Sequence, residues 1–184
     1  MERDGTPAIF VTVGTDHHPF ARLIEWVDTW LEAGGGERAR CFVQSGTSPR
    51  PRHAEAADYL AYEEMERLMS GATVIVSHGG PGSIMQAAAL GKRPIVIPRR
   101  HRLGEHVDDH QVAFARRLAA EGTIELAESE DRLHDVLDLG ASGALATGRR
   151  RDGEAVIEAV RRFEALVSAL PFHRRTEDAR DPRS

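Results

Sequence analysis

The stretch that most constrains the fold runs from Ala72 to Pro98 and reads ATVIVSHGGPGSIMQAAALGKRPIVIP. Ala72 to Ser77 is a short, β-branched, almost wholly apolar run, the pattern of a strand buried on both faces of a parallel sheet. His78-Gly79-Gly80-Pro81-Gly82-Ser83 then breaks it. Its three glycines permit positive φ and leave no side chain between the backbone and an approaching group. From Ser83, the expected N-cap, a helical period sets Ile84, Ala87, Ala88 and Gly91 on one stripe, with Gly91 as the stop. Pro94 to Pro98 reads as a second buried strand. Strand, elbow, helix and strand make a βαβ unit with a right-handed crossover. Ligands in such sheets bind beyond the carboxyl ends of the strands, and free N–H groups at a helix start favour an anion. A phosphate-bearing ligand is therefore expected, although the elbow taken alone is explained equally well as a tight strand-to-helix turn.

Elements of the same kind flank this unit. Ile9 to Gly14 reads as the first strand, ended by Gly14-Thr15 ahead of Asp16-His17-His18-Pro19. A helix over Phe20–Glu32 follows, with Leu23, Ile24, Val27 and Leu31 inward and Gly34-Gly35-Gly36 as its stop. Cys41–Gln44 is the second strand, Ser45–Arg52 a polar loop expected to be mobile, Tyr59–Tyr62 a short strand, and Glu63–Met69 a helix. Beyond Pro98, Arg99 to His106 is a basic, glycine-containing loop of the kind that covers a site. Val107–Glu121 reads as a helix with Val112, Ala115, Leu118 and Ala119 inward and Gly122 as its stop. Thr123–Leu126 is the last strand, Glu130–Leu137 a short helix, and Ala155–Leu170 an amphipathic one. The alternation predicts an α/β fold: a single Rossmann-like, doubly wound, mainly parallel sheet over residues 1–170, with 171–184 a disordered tail.

Composition and spacing remove several function classes. At 184 residues the chain is sized for one domain. A net charge of -5 without a basic stripe argues against nucleic acid as a partner. The single cysteine, Cys41, excludes an internal disulfide and reads as a small packed hydrophobe. Neither a signal peptide nor a run of roughly 18 apolar residues is present, so a cytoplasmic protein is expected, reaching the inner face of a membrane only through a partner. A dinucleotide fold wants G-x-G-x-x-G after the first strand and an acidic residue ending the second; here Gly14 stands alone and Gln44 takes the acidic place. Lys92 lies at the wrong end of its helix for a P-loop, and Ser83 follows Gly82 directly, unlike a hydrolase elbow. His106, Asp109 and His110 suggest one helical face, but HVDDH lacks the glutamate of a zincin. No metal or other cofactor is expected.

Taken together, VTVGT at the first strand, the elbow SHGGPGS and the block IPRRHRLGEHVDDHQ resemble the C-terminal, nucleotide-sugar-binding domain of GT-B glycosyltransferases. More narrowly they resemble the small catalytic subunits of two-part transferases in bacterial exopolysaccharide and capsule synthesis. The catalytic half of the bipartite N-acetylglucosaminyl transferase acting on dolichol-linked sugar is a more distant likeness. The resemblance covers Ile9 to Leu126.

The resemblance implies a UDP-sugar donor whose diphosphate meets backbone N–H groups at Gly14-Thr15 and from His78-Gly79-Gly80 through Gly82 to Ser83. It places Gln86 where the family's ribose-binding glutamate stands, and Asp109, His110 and Gln111 against the donor sugar. Glu105, His106 and Arg99 fall in the covering loop, where Arg99 either offsets phosphate charge or belongs, with Arg100 and Arg102, to a solvated or partner-facing patch. Inverting transfer needs a base, for which His17 or Asp16 is the candidate. The family carries histidine and then Glu-Gln here, so Asp16-His17-His18 departs from it. A GT-B cleft takes two Rossmann-like domains and this chain supplies one. The implied partner is a membrane-associated subunit presenting a polyprenyl-diphosphate-linked sugar acceptor. Two other readings stay open: a non-catalytic donor-binding subunit that enhances a partner transferase, and a free-standing UDP-sugar enzyme such as an epimerase.

Overall fold

The computed structural model describes residues 6–145 together with Glu158 and Arg161. The elements run β1 (Ala8–Thr12), α1 (Ala21–Trp30), β2 (Arg40–Gln44), β3 (Glu55–Ala57), α2 (Tyr62–Gly71), β4 (Val74–His78), α3 (Pro81–Ala89), β5 (Ile95–Ile97), α4 (His110–Ala120), β6 (Glu125–Leu126) and α5 (Glu130–Ala141). Among the described residues all six strands pair in parallel, in the order β3-β2-β1-β4-β5-β6.

Period-two alternation sorts the strand side chains into two cores. Ile9, Val11, Val74, Val76, Ile95 and Ile97 pack with Leu23, Ile24 and Val27 of α1 and Leu133, Val136 and Leu137 of α5. On the opposite face Phe10 and Ile75 meet Met69 of α2 and Ala87 of α3, while Val96 meets Ile84, Phe114 and Leu118. Each fully buried aliphatic or aromatic side chain contributes about 1.5–3 kcal/mol, so the doubly wound arrangement follows from burying both faces. Sheet order reverses between β1 and β4, which are hydrogen-bonded neighbours with Thr12 opposite Ser77. A crevice therefore opens at the carboxyl ends of these two strands.

Several boundaries differ from the sequence expectation, each for a visible reason. The glycines after α1 do not stop the chain: Gly34 takes φ 100° in a kinked turn over Leu31–Gly35, and one more helical turn, Gly36–Arg38, follows. Trp30 and Arg38 both donate to the Asp138 carboxylate at 2.8 Å, which ties this end to α5. The third strand is Glu55–Ala57, not Tyr59–Tyr62; its small residues suit a short edge strand, and Tyr59 and Tyr62 are exposed. The Ser45–Arg52 loop is pinned, because buried Asp28 accepts the N–H groups of Arg52 and His53 and Ser48 Oγ accepts that of Phe20. The fourth helix begins at His110, and its inward side is Gln111, Phe114, Ala115 and Leu118, with Val112 and Ala119 at the margin. Helix α5 runs on to Ala141, capped by Ser129 Oγ accepting from Arg132 N. Burial, helped by Asp28, pushes the Cys41 thiol up to about 12. Apart from Glu158 and Arg161, both helical, the expected Ala155–Leu170 helix and the tail lie outside the described residues. Among the described residues no helix is long and apolar enough to cross a membrane.

Candidate active site at the strand crossover

Two backbone tips and one loop frame the crevice. Beyond β1, Gly14 turns at φ 80° and donates its N–H to Thr12 Oγ1, whose hydroxyl in turn donates to Gln44 Oε1 at 2.6 Å. Gln44, where a dinucleotide fold would offer a carboxylate, is thus spent holding β1 to β2. Beyond β4, Gly80 is the N-cap of α3, Pro81 occupies N1 and Ser83 falls in the first turn. The expected N-cap role of Ser83 is corrected accordingly. Its Oγ donates to Gly80 O and shares a 2.6 Å hydrogen bond with Ser77 Oγ. The Gly80 N–H is bonded to His78 O and Pro81 has none, so the N–H groups offered at this helix start are those of Gly82 and Ser83. Gly82 is exposed, and a Cβ there would meet nothing within 4 Å.

His78 sets the spacing of the two tips. A Cβ on Gly14 would lie 2.4 Å from its ring and one on Gly80 only 2.2 Å away, so both positions are confined to glycine by the imidazole between them. Burial first, and then the Arg99 guanidinium, push this imidazole down to about 4. It is therefore neutral near pH 7, a spacer that adds no charge. An unfolded histidine titrates near 6.5. Stability from the neutral ring is complete above that value and is lost as pH falls from about 6.5 towards 4, where only the unfolded chain takes up the proton. Because the ring is only half-buried, we expect this to amount to roughly 2 kcal/mol between pH 7 and 4.5. Urea unfolding at both pH values should show His78→Gln losing that much less than the natural protein, and parallel losses would contradict the assignment.

The covering loop is held from inside. Arg99 has no exposed surface: its guanidinium donates to Val13 O and His18 O at 2.7 Å and to Glu105 O at 2.9 Å, above the Phe20 ring. Glu105 is equally committed, to a two-pronged pair with Arg22 at 2.8 Å and to the Arg100 N–H. The structure therefore places Arg99 and Glu105 as anchors of the loop, with neither on a solvated patch. Arg22, not singled out from the sequence, stacks between Phe20 and Trp26. Gln111 is buried beneath Gly79 and accepts from Arg99 N, and exposed Asp109 accepts from His101 N. Gln86 projects from the next turn of α3, with a buried Nε2 that has no hydrogen-bond partner. Lys92 is occupied at the far end of that helix by the carbonyls of Ser70 and Ala72.

Imidazoles gather where the loops meet. Asp16 Oδ1 accepts the His18 N–H at 2.8 Å and faces His18 Nδ1 at 2.6 Å. Burial raises the Asp16 carboxyl, but the bonds from His18 and the nearby Arg99 charge outweigh it and hold the group below the ordinary carboxylate value. A carboxylate only accepts, so His18 carries its proton on Nδ1 and presents Nε2 as a base. By contrast the side chain of His17 is 83% exposed, and its Nδ1 stands 3.9 Å from Asp16. Of the three loop residues, Asp16 and His18 form the ordered pair, which the sequence did not single out. The His106 ring lies 6.2 Å from His18 and 4.9 Å from His110. Asp108, not Asp109, lies between His106 and His110, because α4 starts only at His110.

Residues 8–163 match the glycosyltransferase family 28 C-terminal domain. The chain is 32% identical over 105 residues to the UDP-N-acetylglucosamine--N-acetylmuramyl-(pentapeptide) pyrophosphoryl-undecaprenol N-acetylglucosamine transferase of Rubrobacter xylanophilus, covering 57% of this chain and 29% of that protein. It is 32% identical over 126 residues to the UDP-N-acetylglucosamine transferase subunit ALG13 of Yarrowia lipolytica, covering 61% of each. It thus spans under a third of the first relative and about three-fifths of the second. Among solved structures, the glycotransferase of kitacinnamycin aligns at TM-score 0.61 and 20% identity over 93% of this chain and 45% of that one. The ALG13 solution structure aligns at 0.55 and 18% over 85% and 98%. These two likenesses establish the fold, a Rossmann-like unit matching half of a GT-B glycosyltransferase. With the family match spanning the sheet, the elbow and the covering loop, the chain belongs to the glycosyltransferase family 28 C-terminal domain family.

Proposed function

We propose that this chain is the donor-binding and catalytic half of an inverting glycosyltransferase that moves a hexose from a UDP-sugar to a polyprenyl-diphosphate-linked acceptor. The observation that carries this reading is the crevice between β1 and β4, where the tip at Gly14 and the amides of Gly82 and Ser83 are held apart by a neutral histidine. A diphosphate satisfies those N–H groups and the positive end of α3 together. The unpartnered Gln86 amide, one turn further on, is available to ribose hydroxyls once its side chain turns outward.

In the transfer step His18 Nε2 removes the proton of the acceptor hydroxyl, with Asp16 orienting the ring. The acceptor oxygen bonds the anomeric carbon from the face opposite UDP. The bond from that carbon to the β-phosphate oxygen breaks, and its electron pair leaves with UDP, stabilised by the amides already aimed at the phosphates. A second Rossmann-like domain on a membrane-associated partner completes the cleft. Support comes from the relative named as a transferase subunit and from the other, named for a pyrophosphoryl-undecaprenol acceptor. Exopolysaccharide or capsule synthesis is the process we assign, on the likeness of the three motifs alone.

Calorimetric titration of the full chain tests the donor half of this reading. UDP and at least one of UDP-glucose, UDP-galactose, UDP-N-acetylglucosamine and UDP-glucuronate should bind, whereas NAD should not. Binding of NAD with no response to UDP would reject it.

A further inference from the structure

The loop after β5 and the start of α4 carry a second cluster, beside the amides assigned to the diphosphate. His106, Asp108 and His110 each offer a ligand atom within 4.8 Å of the other two. Both rings turn Nδ1 towards one oxygen: His106 Nδ1 is 3.5 Å from Asp108 Oδ1, and His110 Nδ1 contacts the same atom more closely. The rings stand edge to face at 82° and do not stack. The His106 side chain is only 12% exposed, and on its far side Nε2 stands 3.9 Å from Asp16 Oδ2. A metal-bound imidazole uses one nitrogen for the ion and has the other hydrogen-bonded to a carboxylate, and here Asp16 stands beside Nε2 about an ångström beyond hydrogen-bond reach, where a small side-chain rotation brings it into that role.

We propose that His106, Asp108 and His110 bind a divalent transition-metal ion of the zinc class, with Asp16 as the outer carboxylate on His106. Two imidazoles and one carboxylate suit zinc, cobalt or nickel, whereas magnesium and calcium favour oxygen ligands. Donors bound about 2.0–2.2 Å from one ion stand up to roughly 4 Å apart. Side-chain rotation that closes the widest pair and opens the Asp108–His110 contact therefore forms the site. Three protein ligands leave a position for water or an anion oxygen. The ion ties the covering loop to α4 and, through Asp16, to the loop that carries His18. A second trio, Asp16, His17 and His18, also clusters within 4.8 Å. It is the weaker choice because His17 is so exposed and Asp16 is already engaged by His18.

The test is titration of the tag-free, chelator-stripped full chain with Co2+, read by its visible d–d absorption, without nucleotide so that the outcome is separate from donor binding. One saturable equivalent, displaced by Zn2+, is expected. His106→Ala and His110→Ala should each abolish the bands, Asp16→Asn should weaken binding about 10–100-fold, and His17→Ala should leave it unchanged, with far-UV circular dichroism confirming that each variant is folded. No bands in the natural protein, or bands that survive both His106→Ala and His110→Ala, would overturn the site. Loss in His17→Ala with retention in His110→Ala would overturn it in favour of the Asp16 loop, and full affinity in Asp16→Asn would remove the outer carboxylate.

Discussion

Replacing His18 by alanine is expected to lower the rate of sugar transfer about a hundredfold to ten-thousandfold while leaving UDP affinity within about twofold, the range lost with a general base. The expectation rests on geometry. Among the three side chains of the Asp16 loop only His18 has a carboxylate at 2.6 Å on Nδ1, and its carbonyl is pinned at 2.7 Å by Arg99. His17 lacks such constraint, so His17→Ala should retain most of the activity. Asp16→Asn should fall between the two, since an amide still bonds the ring but no longer enforces one tautomer or stabilises the imidazolium. The measurement is steady-state transfer by the reconstituted pair of subunits at saturating UDP-sugar. Unchanged turnover in His18→Ala would move the base to the partner, and would favour the reading in which this chain binds donor without catalysing transfer.

Gly82→Val should reduce UDP affinity on the order of tenfold to a hundredfold, the loss expected when one or two charge-assisted hydrogen bonds are broken. The position makes the test unusually clean. Gly82 has no positive φ, a Cβ there points into open space, and valine is at least as good a helix former as glycine. The folded protein should accept the substitution without loss of stability, so weakened binding reports on the ligand alone. Calorimetry on both proteins at one temperature decides it. Equal affinities, with both folded, would remove the start of α3 from the site. The contrast with Gly14 and Gly80 is useful here. There a Cβ drives into the His78 ring, and lost binding would confuse the ligand with the fold.

The sheet was legible because its strands are short, β-branched and bounded by glycine or proline, and because both faces must be buried. Ile9–Val11, Val74–Val76 and Ile95–Ile97 therefore stood out, and so did the elbow joining the last two. Edge strand β3 was not legible: Glu55, Ala56 and Ala57 carry little apolar surface, and the nearby tyrosines drew the assignment to residues that prove exposed. On α4 the inward positions Ala115 and Leu118 were legible, whereas buried Gln111 was passed over as polar and Phe114 was missed in favour of Val112 and Ala119, which lie at the margin. Of the proposed site residues, those that act through backbone were readable, since glycine spacing announces where a ligand approaches the main chain. The side-chain roles were less so. Arg99 and Glu105 look like surface charges in a basic loop, and only the meeting of segments 81 to 86 residues apart shows them clamping Val13, His18 and Arg22. The choice of His18 over His17 likewise depends on which ring folds back on Asp16, which spacing alone does not determine.

The central claim is that the free amides of Gly82 and Ser83 at the start of α3, facing the tip of β1, grasp the diphosphate of a uridine nucleotide, while the Gly14 amide stays bonded to Thr12 Oγ1. It is tested most directly by following the backbone amide signals of the labelled chain during titration with UDP. The resonances of Gly82 and Ser83 should move first and furthest, with that of Gln86 following. The outer side of the covering loop has a competing hollow lined by Arg100, Arg102 and Arg116. Shifts concentrated there, with Gly82 and Ser83 unmoved at saturation, would contradict the account.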